Sequence, residues 1–271
     1  MGACRWEDLT GPEVAAILAA HPTEVGLLPV GATEQHGPHL PTGTDTIIAT
    51  GLADAVSART GAPVLPAINV SCSFGHGRML GGTLSLTPEL LARAIGQVAD
   101  WAASSGLRRI LAINAHMGNA AGLGVAGDHL RLERPDLRFG VVHWWQASPE
   151  VAAEAGVDGD DIHANRAETA LMLALAPGSV RAGLVAGADD EDRTGGLVFR
   201  YTAESLSVNG VTGRPSEATP ALGDRLLALT VDAVCELVDR GRVEEPPLVA
   251  HTPNPLRVAM ATGGASGGSP C

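Results

Sequence analysis

Between Val25 and Thr46 the chain places Glu34, His36, His39 and Asp45 just beyond an apolar run, Leu27-Leu28-Pro29-Val30, that stops at Gly31. Carboxylate oxygen combined with imidazole nitrogen suits zinc, manganese or iron(II), whereas calcium and magnesium prefer shells made of oxygen. Two later stretches carry the same residue types. His116 sits in NAHMGN at 114-119, directly after the apolar run 109-113, and His163 and Glu168 sit in DIHANRAETALML at 161-173. One such histidine is most often structural. Three matching segments, each at a strand end or helix start, point instead to one metal site.

The elements that must position these residues alternate in type. Strands are expected at 25-30, near 64-70, at 109-113 and at 137-143. Helices are expected over about 10-20, 45-60, 87-104, 120-134, 168-176 and 220-240, several of them opened by a Thr, a Pro and a Glu in the first turn, as at Thr87-Pro88-Glu89. Strand-helix alternation of this kind predicts βαβ units around a mostly parallel sheet, and hence an α/β chain with helices on both faces. Ligands of such sheets bind beyond the carboxyl ends of the strands, which is where Glu34, His36 and His116 fall. Residues 146-160 read as an acidic, Ala-rich connection, and 181-220 as long polar loops or a hairpin. A single domain is expected over 1-245, with 246-271 a disordered tail.

Composition bounds the partners. Of 271 residues, 45% are hydrophobic and 18% charged, with a formal charge of -12 and a pI near 5.1. An acidic chain lacks the basic footprint of a nucleic-acid binder, so none is expected. No apolar run approaches the roughly 18 residues of a membrane span, and the first residues lack a signal-peptide pattern. Cys4, Cys72, Cys235 and Cys271 form no paired motif. Their scatter suits a reducing compartment, and a cytoplasmic location is the expectation.

Three motifs, PVGATEQHGPHLPTGTDT at 29-46, NAHMGN at 114-119 and DIHANRAETALML at 161-173, occur in the order and at separations comparable to those of the creatininase family, which the chain resembles over about 5-240. GTLSLTPELL at 82-91 and NGVTGRPSEAT at 209-219 add weaker matches. The resemblance implies a three-layer α/β/α sandwich, usually a homohexamer, with two divalent metal ions per subunit (zinc, manganese or iron). It implies hydrolysis of amide-type C-N bonds in small molecules; one branch of the family trims a peptide in mycofactocin maturation. By motif, Glu34, His36, Asp45 and His116 fall on metal-ligand positions with Asp45 bridging, Glu168 on a further carboxylate of the site, and His163 on a histidine with a proton-transfer role.

The chain also departs from the creatininase pattern. A glutamate two residues after the histidine of the second motif is replaced by Gly118, so Glu168 is expected to supply that ligand, and creatinine is a poor substrate. Ile162 stands where creatininase has an acid, with Asp160 or Asp161 as the substitute. His76 lies seven residues before Thr83 rather than six, and is expected as a substrate contact. Trp144 and Trp145, closing a strand, are expected to wall a substrate pocket or to pack an edge. His39 and His143 are expected behind the ligands, and Arg200 and Tyr201 as binders of a substrate carboxylate or as solvated side chains. The expected function is hydrolysis of an amide, lactam or formamide bond by metal-activated water. A precursor-peptide peptidase and a non-catalytic, metal-stabilised scaffold are the alternatives.

Overall fold

Pro29 and Val30 end the first strand of a three-stranded parallel sheet, and every residue of that strand is buried, as a strand covered on both faces requires. The computed structural model describes residues 2-78, 80-156 and 162-248. Asp160, Asp161 and the tail from 249 lie outside the described residues. The strands are β1 (Val25–Val30), β2 (Arg109–Asn114) and β3 (Arg138–His143), in the order β1-β2-β3 with Val25 opposite Arg109 and Arg109 opposite Arg138.

The helices are α1 (Gly11–Ala20), α2 (Thr44–Thr60), α3 (Pro88–Ser104), α4 (Ala120–Glu133), α5 (Pro149–Ala155), α6 (Arg166–Leu175), α7 (Ala182–Val185), α8 (Ala203–Leu206) and α9 (Pro220–Val243). Period-two alternation divides the strands between two cores. Leu27, Ile113 and Val142 face a layer that contains buried residues of α2, α5, α6 and α9. Leu28, Val30, Ile110 and Ala112 face the other, with buried residues of α1, α3 and α4. This is the three-layer α/β/α sandwich, and it leaves all three strands ending at one edge.

Two sequence expectations change. The stretch 63-70 runs parallel to β1 but makes only isolated bridges, Leu27 to Val64 and Val30 to Ile68. Pro63 and Pro66 lack the N–H groups that a continuous ladder needs. Within the expected connection 146-160, α5 forms. Ser148 caps it by accepting from the Val151 N–H at 3.2 Å, and Pro149 and Glu150 occupy its first turn. Among the described residues no helix is long and apolar enough to cross a membrane.

Candidate metal centre

The start of α2 is held against the end of β1. A Cβ on Gly31 would lie 2.4 Å from Thr46 Cα and 2.5 Å from Thr46 N, so only a glycine permits this backbone contact. Thr46 Oγ1 also donates to Ala32 O at 3.0 Å. The contact sets Asp45, in the first turn of α2, beside the loop that carries Glu34 and His36. Gly31→Ala is therefore expected to cost about 1-3 kcal/mol through overpacking, read as a lower urea midpoint at unchanged slope, and to weaken metal uptake.

The second strand end is shaped by two asparagines. Asn114 accepts from the His116 N–H at 3.2 Å and donates through Nδ2 to His116 O at 2.8 Å. Asn119 donates to Gly31 O at 2.9 Å and accepts from the Cys72 N–H at 3.1 Å, which ties the ends of β1 and β2 and the 71-76 loop together. The third segment enters through Ala164, whose φ of 51° is left-handed, a conformation that alanine adopts at a cost of about 1-2 kcal/mol. Asn165 then caps α6, accepting from the N–H groups of Ala167 and Glu168. Glu168 reaches back to accept from the Ala164 N–H at 2.5 Å.

Glu34, His36, Asp45, His116, His163 and Glu168 meet in one buried cluster. Asp45 lies between two histidines. Its Oδ1 is 3.1 Å from His36 Nε2 and its Oδ2 is 3.6 Å from His116 Nδ1. Glu168 Oε2 is 3.7 Å from His36 Nε2, and Glu34 Oε1 is 3.2 Å from His116 Nδ1. The arrangement thus has two halves, one of His36 with Glu168 and one of His116 with Glu34, each completed by one oxygen of Asp45.

The outward nitrogens of these histidines are taken by backbone carbonyls. His36 Nδ1 lies 3.2 Å from Glu34 O, and His116 Nε2 lies 2.9 Å from Cys72 O. A ring that donates there turns its bare lone pair toward the carboxylates, which is how metal-binding histidines are held. Both oxygens of Glu34, both of Asp45 and His36 Nε2 are buried with no hydrogen-bond partner. Lone pairs gathered this closely and left unsatisfied are costly unless a cation sits among them. Glu34, His36 and Asp45 each offer one ligand atom within 4.8 Å of the others, as do Glu34, His76 and His163, and His36, His163 and Glu168.

The electrostatics agree. Burial opposes charge on His36 and His116, yet the surrounding carboxylates, Asp45 foremost for the first and Glu34 for the second, push them up to about 10 and about 9. The cluster therefore favours positive charge. Burial raises Glu168 to about 8, with Asp45 and Glu34 adding to the effect. Burial also lowers His163 to about 3, helped by His36 and His76, so His163 is neutral at pH 7.

His76, expected only as a substrate contact, joins the cluster itself, with Nε2 3.1 Å from Glu34 Oε2 and its ring 4.4 Å from that of His163. Trp144 and Trp145, expected to wall a substrate pocket or to pack an edge, lie in the interior. They are 0% and 3% exposed in the core that α2 and α9 line, packed edge to face on each other with Trp145 stacked on His143. The chain turns sharply after β3 and α5 packs over the turn, which seals both rings inside. His39 bonds Thr169 Oγ1 at 2.8 Å and His143 accepts from Asn114 at 2.9 Å, placing both behind the cluster. Arg200 and Tyr201 are exposed. Gln35, which its residue type did not flag, lies at the centre of the cluster and bonds both His76 and His163.

The family model for creatininase, creatinine amidohydrolase, matches residues 7-238. The chain belongs to the creatininase family. It is 33% identical over 237 residues to the mycofactocin precursor peptide peptidase of Mycobacterium tuberculosis, covering 79% of this chain and 84% of the relative. It is 28% identical over 255 residues to the creatinine amidohydrolase of Pseudomonas putida, covering 89% and 96%. Among solved structures, a creatininase mutant of Zn-Zn type superposes with a TM-score of 0.76 at 27% identity over 89% of this chain and 99% of the other. The Gly118 departure also has a geometric basis. A Cβ there would lie 2.3 Å from His116 Nε2 and 2.4 Å from Cys72 O, so this backbone has no room for a side chain at that position.

Proposed function

We propose that this creatininase-family hydrolase cleaves an amide-type C-N bond, in an amide, lactam or formamide of a small molecule, with two divalent cations held by Glu34, His36, Asp45, His116 and Glu168. The observation that carries the reading is the set of buried oxygens on Glu34 and Asp45 without hydrogen-bond partners, facing the imidazole nitrogens of His36 and His116. Zinc, manganese or iron(II) fits this mixed nitrogen and oxygen donor set. When bound, such a pair lowers the pKa of a water and polarises the substrate carbonyl. Asp45 spans the two halves, and Glu168 supplies the carboxylate that Gly118 cannot.

The protein's own groups handle the proton. His163, neutral at pH 7, accepts it from the attacking water and returns it to the leaving nitrogen, with the Glu168 carboxyl beside the same path. The deep burial of the cluster keeps bulk water from these charges and strengthens every interaction among them. A homo-oligomer in the cytoplasm, acting on a small-molecule substrate with neither nucleic acid nor membrane as partner, completes the reading.

A second reading, trimming of a short precursor peptide, is favoured by the higher identity to the mycofactocin peptidase, 33% against 28% for the creatinine amidohydrolase. Metal analysis joined to a panel of lactams, formamides and short peptides separates the two. Exhaustive chelation is expected to abolish turnover, and zinc or manganese to restore it. Full activity in the chelated protein would rule out the metal reading. Release of a peptide fragment without lactam or formamide turnover would select the second substrate class.

A further inference from the structure

Gln35 lies between Glu34 and His36, but an amide is neither a strong metal ligand nor a titrating group. Its side-chain oxygen accepts from the Gly37 N–H at 3.0 Å, which settles which end of the amide is nitrogen. The nitrogen then faces three acceptors: His163 Nε2 at 2.8 Å, Gly210 O at 3.0 Å and His76 Nδ1 at 3.1 Å. A side-chain amide nitrogen donates two hydrogens and accepts none, so a ring nitrogen at this distance must be the unprotonated one. In each neutral ring the proton is then on the other nitrogen. Those nitrogens, His163 Nδ1 and His76 Nε2, are the ones that face Glu34, at 3.4 Å from Oε1 and 3.1 Å from Oε2.

We propose that Gln35 is a positioning residue that fixes the tautomers of His76 and His163, turning an N–H of each toward Glu34 and barring both rings from metal ligation. The inference rests on the dinuclear reading above and deepens it. Of the three groups of possible ligand atoms, two contain His163 and one of these also contains His76. Only the group of Glu34, His36 and Asp45 survives, with His116 and Glu168 beside it. Neither N–H contact is aligned as a hydrogen bond, so the lone pairs of Glu34 remain available to a cation.

The site is built to hold this amide. A Cβ on Gly210, whose φ is +84°, would lie 1.9 Å from Gln35 Oε1, and one on Gly37, at φ +60°, would strike the Val211 side chain. Three acceptors also share two hydrogens. At any instant one of the three acceptors is therefore without a hydrogen from Gln35, and the amide must turn away from His163 Nε2 before another donor can reach that nitrogen.

Nitrogen-15 spectra of histidine-labelled protein read the tautomers directly. The wild type is expected to show His163 as the Nδ1–H form and His76 as the Nε2–H form. Gln35→Met, of similar length but without donors, is expected to give mixed tautomers and to lower kcat about 10-100-fold, the usual cost of losing a residue that orients a metal site, with KM and bound zinc little changed. His76→Gln is expected to bind as much zinc as the wild type. The opposite tautomers in the wild type, a kcat in Gln35→Met within twofold of the wild type, or a loss of zinc in His76→Gln would overturn the proposal. A wild type that binds no zinc but shows the expected tautomers would instead overturn the dinuclear reading and leave the Gln35 clamp standing.

Discussion

Asp45→Asn is expected to lower kcat/KM by about a thousandfold or more, the several kcal/mol that cation-based charge stabilisation contributes, while leaving the metal-free protein as stable as the wild type or more so. The two effects have one cause. Asp45 sends one oxygen to the His36 half and the other to the His116 half, so removing its charge weakens both at once. Those same oxygens are buried without a hydrogen-bond partner, a cost to folding that a cation offsets and an amide reduces. Saturation with zinc should raise the stability of the wild type by about 2.7 kcal/mol at a hundredfold excess over Kd and that of Asp45→Asn far less. Steady-state kinetics reads the first effect, and thermal unfolding with and without zinc, together with metal content by mass spectrometry, reads the changes in stability and metal binding. A variant that retained both ions and a tenth of the activity would remove Asp45 from the bridging role.

Much of the fold, and the residue types gathered in the cluster, are legible in the sequence alone. The bounds of β1 and the starts of α2, α3 and α9 follow from apolar runs and cap residues, because both are local. The metal-type residues were legible as well, since carboxylates and imidazoles at strand ends have few bland explanations when they recur. What the chain hid was non-local or chemically quiet. The stretch 63-70 has a strand-like apolar pattern, but its prolines limit it to isolated bridges. Ser148-Pro149-Glu150 carried the start signal of α5 within a segment whose composition suggested a connection. Trp144 looks the same in sequence whether it walls a pocket or fills a core. Gln35 acquires its meaning only when His163, 128 residues later, and Gly210, 175 residues later, are folded against it.

Gly118 leaves the β2 loop without a carboxylate, which places the demand on Glu168. Glu168→Gln is expected to halve the bound metal and to cost activity nearly as much as Asp45→Asn, because in the proposed site Glu168, 3.7 Å from His36 Nε2, supplies the carboxylate of that half. The fold should survive it. Asn165 still caps α6, and a glutamine oxygen can still accept from the Ala164 N–H. Adding Gly118→Glu to this variant restores a carboxylate at the place where the creatininase pattern has one. It is nevertheless expected to fail, since a Cβ there would lie 2.4 Å from Cys72 O and displace the His116 Nε2 contact that holds that ring. The double variant should therefore be less active than Glu168→Gln and hold less metal. Rescue by Gly118→Glu, or a metal-loaded crystal structure with Glu168 oxygens well beyond about 2.5 Å from either ion, would show that this half is completed by another group. Loss of one ion in Glu168→Gln, with no rescue by Gly118→Glu, would support a carboxylate supplied from the first turn of α6, where the left-handed Ala164 and the Asn165 cap aim it.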